Sequence, residues 1–285
     1  MEPILVTGAS GNVGGEIMRQ MLGQGLSVRA ADVDLAGLHS RFGPGPELVL
    51  FDFAKPETHV TTLDSIKRVF LLRPPHISNV KRYLFPFIDA AKFAGVEHIV
   101  FLSLIGIEQN QRVPHYKVEQ YLRSSGIAYT FLRASFFMQN LSGVHRAEIR
   151  DRDEIYVPVG NGKTSFIDVR DIAAVAVKTL TETGHESQAY ELTGPEALDY
   201  YQVADILSNI LGRKITYRNP SVSAFVWKSL LQSTPLSLTL IMSYLYTQTK
   251  RGMSEKVTGT VKEILGRHPG SLEEFVKKSR QKWIK

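Results

Sequence analysis

Residues 7–14 read Thr7-Gly8-Ala9-Ser10-Gly11-Asn12-Val13-Gly14, and they are the strongest indication of the fold in this sequence. It follows an apolar run typical of a buried strand and opens residues 13–24, whose apolar positions have the period of a helix. A GxxGxxG turn between strand and helix is typical of dinucleotide-binding βαβ units. Gly8 permits the tight turn, Gly11 lets a pyrophosphate approach the backbone, and Gly14 allows the helix to pack closely on the strand. The alternative is a glycine-rich turn that only connects the two elements.

The residue that follows the second predicted strand bears on the choice of cofactor. Asp32 stands 18 residues after Gly14, where a carboxylate can accept hydrogen bonds from the adenosine ribose hydroxyls. It would repel a 2′-phosphate, so we expect NAD to be preferred over NADP as the cofactor. Arg29, inside the strand, or Arg41, arriving from elsewhere, could reverse that preference. Asp52, after the third strand, is a second candidate for the adenine edge or else caps a turn.

Short β-type runs alternate with helix-length stretches, a pattern that predicts an α/β fold with a doubly wound parallel sheet of the Rossmann type. The predicted strands cover residues 4–7, 27–31, 48–51, 68–72, 98–102, 129–133, 164–167 and 189–192. We predict a dinucleotide-binding domain over residues 1–155, to which residues 164–194 add the last helix and strand. Residues 195–285, with 134–163, are predicted to form a smaller, mainly helical part that binds the substrate or a partner.

Composition excludes several classes of protein. The chain has 285 residues, of which 43% are hydrophobic and 22% charged, so it is expected to fold. It contains no cysteine, which excludes a disulfide framework, a thiol nucleophile and cysteine-ligated metals. The histidines show no paired spacing, so no metal site is predicted. The N-terminus lacks the pattern of a signal peptide, and we expect a cytoplasmic protein.

Two features of the C-terminal region call for interpretation. Residues 229–249 carry no charge, but polar residues interrupt them too often for a transmembrane span, so we predict amphipathic helices and no membrane insertion. Residues 212–285 hold 14 Lys and Arg against 4 Asp and Glu. This basic character indicates either an ordinary solvated surface or a surface for an anionic ligand or protein partner. No DNA-reading helix is recognisable, and direct binding of nucleic acid is not predicted.

Several further motifs carry a family resemblance. They are His98-Ile-Val-Phe-Leu-Ser103, Lys117-Val-Glu-Gln-Tyr-Leu-Arg-Ser-Ser-Gly126, Tyr129-Thr-Phe-Leu-Arg133, Ser165-Phe-Ile-Asp-Val-Arg-Asp-Ile172 and Tyr190-Glu-Leu-Thr-Gly194. With the N-terminal fingerprint, they resemble the NmrA-like family of atypical short-chain dehydrogenases/reductases across essentially the whole chain. The resemblance implies one of two functions: an NAD(P)H-dependent reductase of quinones or dyes, or a transcription co-regulator that binds a dinucleotide as a redox sensor and acts through a protein partner.

The same resemblance places Ser103 and Lys117 at the serine and lysine positions that short-chain dehydrogenases use with a tyrosine. That tyrosine would lie one helical turn before the lysine, where this sequence has Val113. Tyr116 would point about 100° away from Lys117 on a helix, so it does not simply replace the missing tyrosine. Lys117 can still hydrogen-bond the nicotinamide ribose. Without the tyrosine acid, a quinone or a similarly electrophilic acceptor is favoured, since its reduced form can be protonated by solvent.

The remaining candidates follow predicted strands, because ligands bind at the carboxyl ends of strands in parallel sheets. The predicted cofactor-binding residues are Thr7, Gly8, Ser10, Gly11, Asn12, Val13, Gly14, Asp32, Asp52, Leu72, Arg73, Pro74, Ser103, Lys117, Ser135 and Phe136. The predicted substrate-binding residues are Pro75, Tyr116, Phe137 and Asn140. For Phe136 and Phe137 the alternative is core packing, for Tyr116 a structural role at a loop or pocket edge, and for Arg73 a surface ion pair.

Overall fold

A parallel sheet dominates the computed structural model, which describes residues 2–232 and 234–285. Its strands are β1 (Ile4–Thr7), β2 (Val28–Asp32), β3 (Glu47–Leu50), β4 (Arg68–Leu71), β5 (His98–Leu104), β6 (Ala128–Ala134), β7 (Glu154–Tyr156), β8 (Gln188–Leu192) and β9 (Thr216–Arg218). Seven of them form the large sheet in the order β3-β2-β1-β4-β5-β6-β8, and β7 pairs in parallel with β9. The order reverses direction at β1 and β4, which defines the switch point of a doubly wound sheet.

The helices connect these strands and form most of the later part of the chain. They are α1 (Asn12–Gly23), α2 (Leu35–Phe42), α3 (Glu57–Leu63), α4 (Val80–Phe93), α5 (Pro114–Ser125), α6 (Gln139–Ser142), α7 (Arg146–Arg152), α8 (Val169–Thr181), α9 (Tyr200–Leu211), α10 (Val222–Leu231), α11 (Leu236–Lys250), α12 (Thr260–Leu265) and α13 (Leu272–Ser279). Short 3₁₀ turns cover Ile107–Gln109 and Arg280–Trp283. In the described ranges, none of the helices combines the length and apolarity of a membrane span.

The first of two units contains the large sheet and comprises Met1–Ala134, Val169–Leu192 and Thr260–Gly266. Helix α1 packs against α8, and α4 packs against α5. Buried residues of α4 and α5, including Leu84, Phe87 and Val118, join Ile99 and Phe101 of β5 in one hydrophobic core. This unit is the predicted Rossmann-type α/β fold.

The second unit is mainly helical and comprises Ser135–Asp168, Thr193–Gly259 and Arg267–Lys285. Its core includes Ile155 of β7, Leu207 of α9 and Phe275 of α13, together with the fully buried Trp283. The division falls at Ala134, whereas the sequence analysis extended the first domain to residue 155. Helix α12 belongs to the first unit although it lies late in the chain.

One predicted strand is wrong. Residues 164–167 form two isolated bridges: Ile167 pairs in parallel with Phe137, and Thr164 pairs antiparallel with Leu198. The two ends of this buried apolar run therefore have different partners of opposite direction. No continuous ladder can form, although the run has the composition of a strand.

Candidate functional site

The glycine-rich turn leaves β1 and enters α1 as the sequence predicts. Gly8 has φ +65°, in the left-handed region that glycine adopts without strain. Its carbonyl accepts a hydrogen bond from the Gly11 amide at 3.0 Å. A Cβ on Gly14 would lie 2.8 Å from the Gly8 carbonyl carbon, so α1 can pack on the turn only with glycine there. Gly8, Gly11 and Gly14 together allow the turn after β1 to pack closely against the start of α1.

The start of α1 is open toward an anion. Gly11 is the N-cap residue and offers no side-chain cap, and the first turn contains no acidic residue. Asn12 and Ser10 are exposed beside it, while Val13 is buried. Amide groups at a helix start that lack a capping side chain carry partial positive charge and bind phosphate. This geometry fits a pyrophosphate.

Thr7 ties the two strands at the switch point together. Its hydroxyl donates to the Phe70 carbonyl of β4 at 3.1 Å and accepts from the Leu72 amide at 2.9 Å. Leu72 then lies against Gly8, because a Cβ on that glycine would stand 3.1 Å from Leu72 Cδ2. Thr7 and Leu72 thus shape the crevice between β1 and β4, where doubly wound sheets bind dinucleotides.

The Asp32 carboxylate at the end of β2 turns toward the glycine-rich turn. Its Oδ2 accepts from the Ser10 amide at 3.0 Å and from the Ser10 hydroxyl at 2.7 Å. Its Oδ1 accepts from the Asp34 amide at 3.3 Å. Asp32 therefore holds the turn in place through contacts that a ribose would have to share or replace.

Arg41, near the end of α2, lies over the same turn, whereas the sequence indicates it only as a residue that could reverse the preference for NAD. Its Nη1 donates to the Ser10 carbonyl at 2.7 Å and to the Gly11 carbonyl at 3.3 Å. Within the ranges described, its Nε and Nη2 make no hydrogen bond and remain available for a phosphate oxygen. Arg29 is committed elsewhere: it is buried and donates to the Thr62 and Asp64 carbonyls.

Asp52 and Arg73 stabilise their own loops. The Asp52 Oδ1 accepts from the Ala54 amide at 2.9 Å, so this carboxylate caps a turn. Arg73 Nη1 donates to the carbonyls of Pro74, Pro75 and Ile77 at 2.9, 3.2 and 2.6 Å. The Arg73 guanidinium thereby organises the loop after β4.

His115 of α5 is the neighbour of Arg73, and the sequence analysis did not assign it to a site. Arg73 Nε lies 3.4 Å from His115 Nε2, and the imidazole ring is 5.9 Å from the Phe101 ring. Burial, reinforced by the Arg73 charge, lowers the pKa of His115 to about 3. The imidazole is therefore neutral at any working pH.

Ser103 belongs to a buried charge network. Its hydroxyl donates to Glu119 Oε1 at 2.6 Å, and the same carboxylate accepts from Arg133 Nε and Nη2 at 3.0 and 2.7 Å. Arg133 also pairs with Glu108. Ser103, Glu119 and Arg133 are all buried. Because it donates its hydrogen bond to Glu119, the Ser103 hydroxyl can offer a ligand only its acceptor lone pairs.

Lys117 is exposed on α5 and lines a surface cavity of about 250 Å³ with residues Ser78, Asn79, Val80 and Lys81. None of these four was assigned to cofactor or substrate from sequence. Val113, at the position of the absent tyrosine, is the N-cap of α5 and has extended backbone angles. Tyr116 is half-buried in the first turn of the same helix.

Four candidate residues lie in the second unit. The Ser135 hydroxyl is buried and accepts from the Ser165 hydroxyl at 3.1 Å. Phe136 packs against the second hydrophobic core, which agrees with the core-packing alternative. Phe137 and Asn140 are half-buried, and Asn140 lies in α6. Over the described residues of both units, no group of three or more His, Asp or Glu side chains could hold a metal ion.

Known proteins share both the sequence and the architecture of this chain. An NAD(P)H azoreductase of Xenophilus azovorans is 35% identical over 280 residues, which cover 96% of each chain. The structure of a Citrobacter sp. triphenylmethane reductase complexed with NADP(H) matches with a TM-score of 0.85 at 23% identity, covering 97% of this chain and 99% of that one. An NADPH-dependent quinone oxidoreductase of Escherichia coli, complexed with NADPH, matches with a TM-score of 0.87 at 23% identity over 96% and 99%.

Because the two solved structures are only 23% identical to this chain, their similarity supports the fold alone. The azoreductase relative is close over nearly the full length of both chains, and residues 1–276 match the NmrA-like family as a whole. The glycine-rich turn, the parallel sheet and the helical second unit are thus those of a known group of proteins, and the chain belongs to the NmrA-like family.

Proposed function

We propose that this protein is a reductase that uses NADPH to reduce a quinone or a similarly electrophilic small molecule. One observation carries the proposal: the turn after β1 presents uncapped amides at the start of α1, beside the β1–β4 switch point. A dinucleotide pyrophosphate fits that arrangement of partial positive charge. The bound nicotinamide supplies the hydride, and the chain supplies binding and orientation.

The contacts of Arg41 support NADP(H) as the cofactor. Asp32 alone favours NAD(H), but its Oδ2 is shared with two Ser10 donors. Arg41 donates one hydrogen bond to the Ser10 carbonyl through Nη1, and among the residues that the structure describes its Nε and Nη2 donors remain available. A guanidinium is well suited to bind a phosphate in a bidentate manner. Both solved structural neighbours hold NADP(H) or NADPH. The NAD preference predicted from Asp32 is therefore replaced by a proposed preference for NADPH.

The residues around α5 support an acceptor that needs little acid catalysis. Val113 stands where the resemblance to short-chain dehydrogenases places the tyrosine and has no proton to give, and the Ser103 hydroxyl already donates a hydrogen bond to Glu119. Reduction of a simple ketone requires a proton at the developing alkoxide, whereas a reduced quinone is a stable anion that solvent can protonate. The named activities of the relatives, on azo compounds, dyes and quinones, agree with this chemistry.

Steady-state turnover tests the proposal directly. We expect oxidation of NADPH in the presence of a panel of quinones and azo dyes, with direct binding of NADPH measured by calorimetry in parallel. Turnover with none of these acceptors, in a protein that still binds NADPH, would reject the reductase function and leave a dinucleotide-binding regulator. Absence of binding would reject the site itself.

The variant Arg41→Ala tests the cofactor preference. We expect it to weaken NADPH binding by about tenfold or more, since one charge-assisted phosphate contact is worth on the order of 1.5–3 kcal/mol. NADH binding should change little, because NADH lacks the 2′-phosphate. Arg82→Ala, at an exposed position on α4, is the matched control and should leave both affinities unchanged. Equal weakening of NADH and NADPH would place Arg41 on the pyrophosphate instead.

A further inference from the structure

Helix α11 buries small polar side chains together with the core residue Tyr246, and it exposes its leucines. Its buried side includes the polar residues Thr239, Ser243 and Thr249, of which Ser243 and Thr249 hydrogen-bond back to carbonyls of their own helix at 2.8 and 3.1 Å. Its outward side includes Leu240 and Ile241, each about half exposed. A surface helix ordinarily turns its apolar stripe toward the core. Among the described residues, the apolar outward side of α11 is therefore exposed to solvent.

Helix α10 packs against α11 and extends the same apolar surface. Trp227 is 67% exposed and Leu231 is 69% exposed, while Leu236 continues the surface at the start of α11. We call the outward side of these two helices the α10–α11 face. Its large apolar side chains are each 37–69% exposed, which together amounts to on the order of several hundred Å²; they are Trp227, Leu230, Leu231, Leu236, Leu238, Leu240, Ile241, Tyr244 and Leu245. A typical monomer has a largest apolar patch of roughly 300–600 Å², and each partner of a standard interface buries about 800 Å².

The distribution of charged residues in and around α10 and α11 indicates which kind of partner could cover the α10–α11 face. Residues 229–249 contain no charged side chain. Lys228, just before them, is held by Glu148 and Glu154 at 3.0 Å each. A helix that lies on an anionic membrane displays rows of Lys and Arg along its polar side. On α11 the buried side carries Ser, Thr and Tyr246, and the only charged residue in the sequence of the helix is Lys250 at its last position, so a lipid surface is not favoured.

A second copy of the chain meets these requirements. In a two-fold symmetric contact each surface faces its own image, so any charge on it would face a like charge. An uncharged apolar face can pair with itself without that electrostatic cost. We propose that the protein is a homodimer in which the α10–α11 faces of two copies pack against each other.

Sedimentation velocity at micromolar concentration tests the dimer. The wild-type protein should sediment with twice the 31.9 kDa mass of one chain. Leu240→Asp should yield a monomer with an unchanged circular dichroism spectrum, because it buries a charge only in the dimer. Phe93→Asp is the matched control: Phe93 is an apolar residue, 97% exposed, at the end of α4, and this variant should remain dimeric.

Site-specific cross-linking provides a second test that does not depend on a disruptive variant. Since the chain has no cysteine, one introduced thiol can form a disulfide only with another copy. We expect oxidation to cross-link at least one of the variants Leu236→Cys, Leu240→Cys and Tyr244→Cys, whereas Phe93→Cys should remain uncross-linked. A monomeric wild type, or a dimer that Leu240→Asp leaves intact and no cysteine on this face cross-links, would overturn the proposal. A monomer that co-sediments with phosphatidylglycerol vesicles would assign the face to a membrane.

Discussion

At the scale of single residues, the structure gives several polar candidates a structural partner that the sequence could not identify. Arg133 lies in the buried strand β6, which indicates that it needs a buried acid, because an unpaired charge there would be very costly. Glu119 fills that role and also accepts a hydrogen bond from the Ser103 hydroxyl. The sequence predicted the place of Ser103 at the end of a strand, but Glu119 lies 16 residues further on. The pairing depends on how α5 packs on the sheet.

The buried imidazole of His115 allows a prediction of how the free energy of unfolding depends on pH. Its pKa is lowered to about 3 in the folded protein, against about 6.5 in an unfolded chain. Between these values the unfolded state binds more protons, so stability is fully present above pH 6.5 and falls as the pH drops. From pH 7 to pH 5 the expected loss is at most about 2 kcal/mol, because the unfolded ring takes up its proton over only about 1.5 pH units of that interval.

His115→Gln keeps an oxygen that can accept from Arg73 and removes the titrating group. Urea unfolding at pH 7 and pH 5 should show a smaller acid-induced loss in this variant than in the wild type. His39→Gln, at an exposed position of α2, should lose as much as the wild type. Equal losses in all three proteins would show that His115 protonates without strain in the folded state.

At the scale of elements, the local pattern predicted the first βαβ unit well because each glycine has a geometric task within a few residues. Strands β1, β2 and β4 to β6 begin and end within two residues of their predicted limits. The predicted strand at 164–167 is wrong because its two ends pair in opposite directions, with Phe137 and Leu198, which a local pattern cannot show. Arg41 was hard to assign for the same reason, since α2 brings it back to the glycine-rich turn from 30 residues away.

Two adjacent glycines of α1 allow an element-scale prediction. A Cβ on Gly14 would press on the Gly8 and Ala9 backbone, which cannot move without disrupting the turn. A Cβ on Gly15 would meet only the Arg41 guanidinium, the end of a flexible side chain. We expect Gly14→Ala to destabilise the protein by about 1–3 kcal/mol and to abolish NADPH binding. Gly15→Ala should fold normally and weaken NADPH binding by displacing Arg41, as thermal unfolding and calorimetry can show. A Gly14→Ala protein with normal binding would contradict the close approach.

At the scale of the whole molecule, the sequence predicted two parts but not their limits. The chain crosses between them repeatedly: α8, β8 and α12 return to the first unit, and Arg267–Lys285 returns to the second. Local periodicity does not record such returns. The same holds for α11, whose sequence predicts an amphipathic helix but not that Thr239, Ser243 and Thr249 are buried while its leucines are exposed.

One of the two tryptophans of the chain lies in the core of the second unit and the other on its surface, so their variants distinguish core packing from surface contacts. Trp283 is fully buried, and its ring N–H donates to the Leu141 carbonyl at 3.0 Å. Trp283→Ala leaves a cavity and an unpaired carbonyl, so we expect a loss of about 3–5 kcal/mol at every protein concentration. Trp227→Ala removes only part of the α10–α11 face. The loss of stability that Trp227→Ala causes should depend on protein concentration, because this variant weakens the dimer and dimer formation contributes to the free energy of unfolding. Urea titrations of both variants at two protein concentrations distinguish these effects, and a loss below about 1 kcal/mol for Trp283→Ala would contradict the packing of the second core.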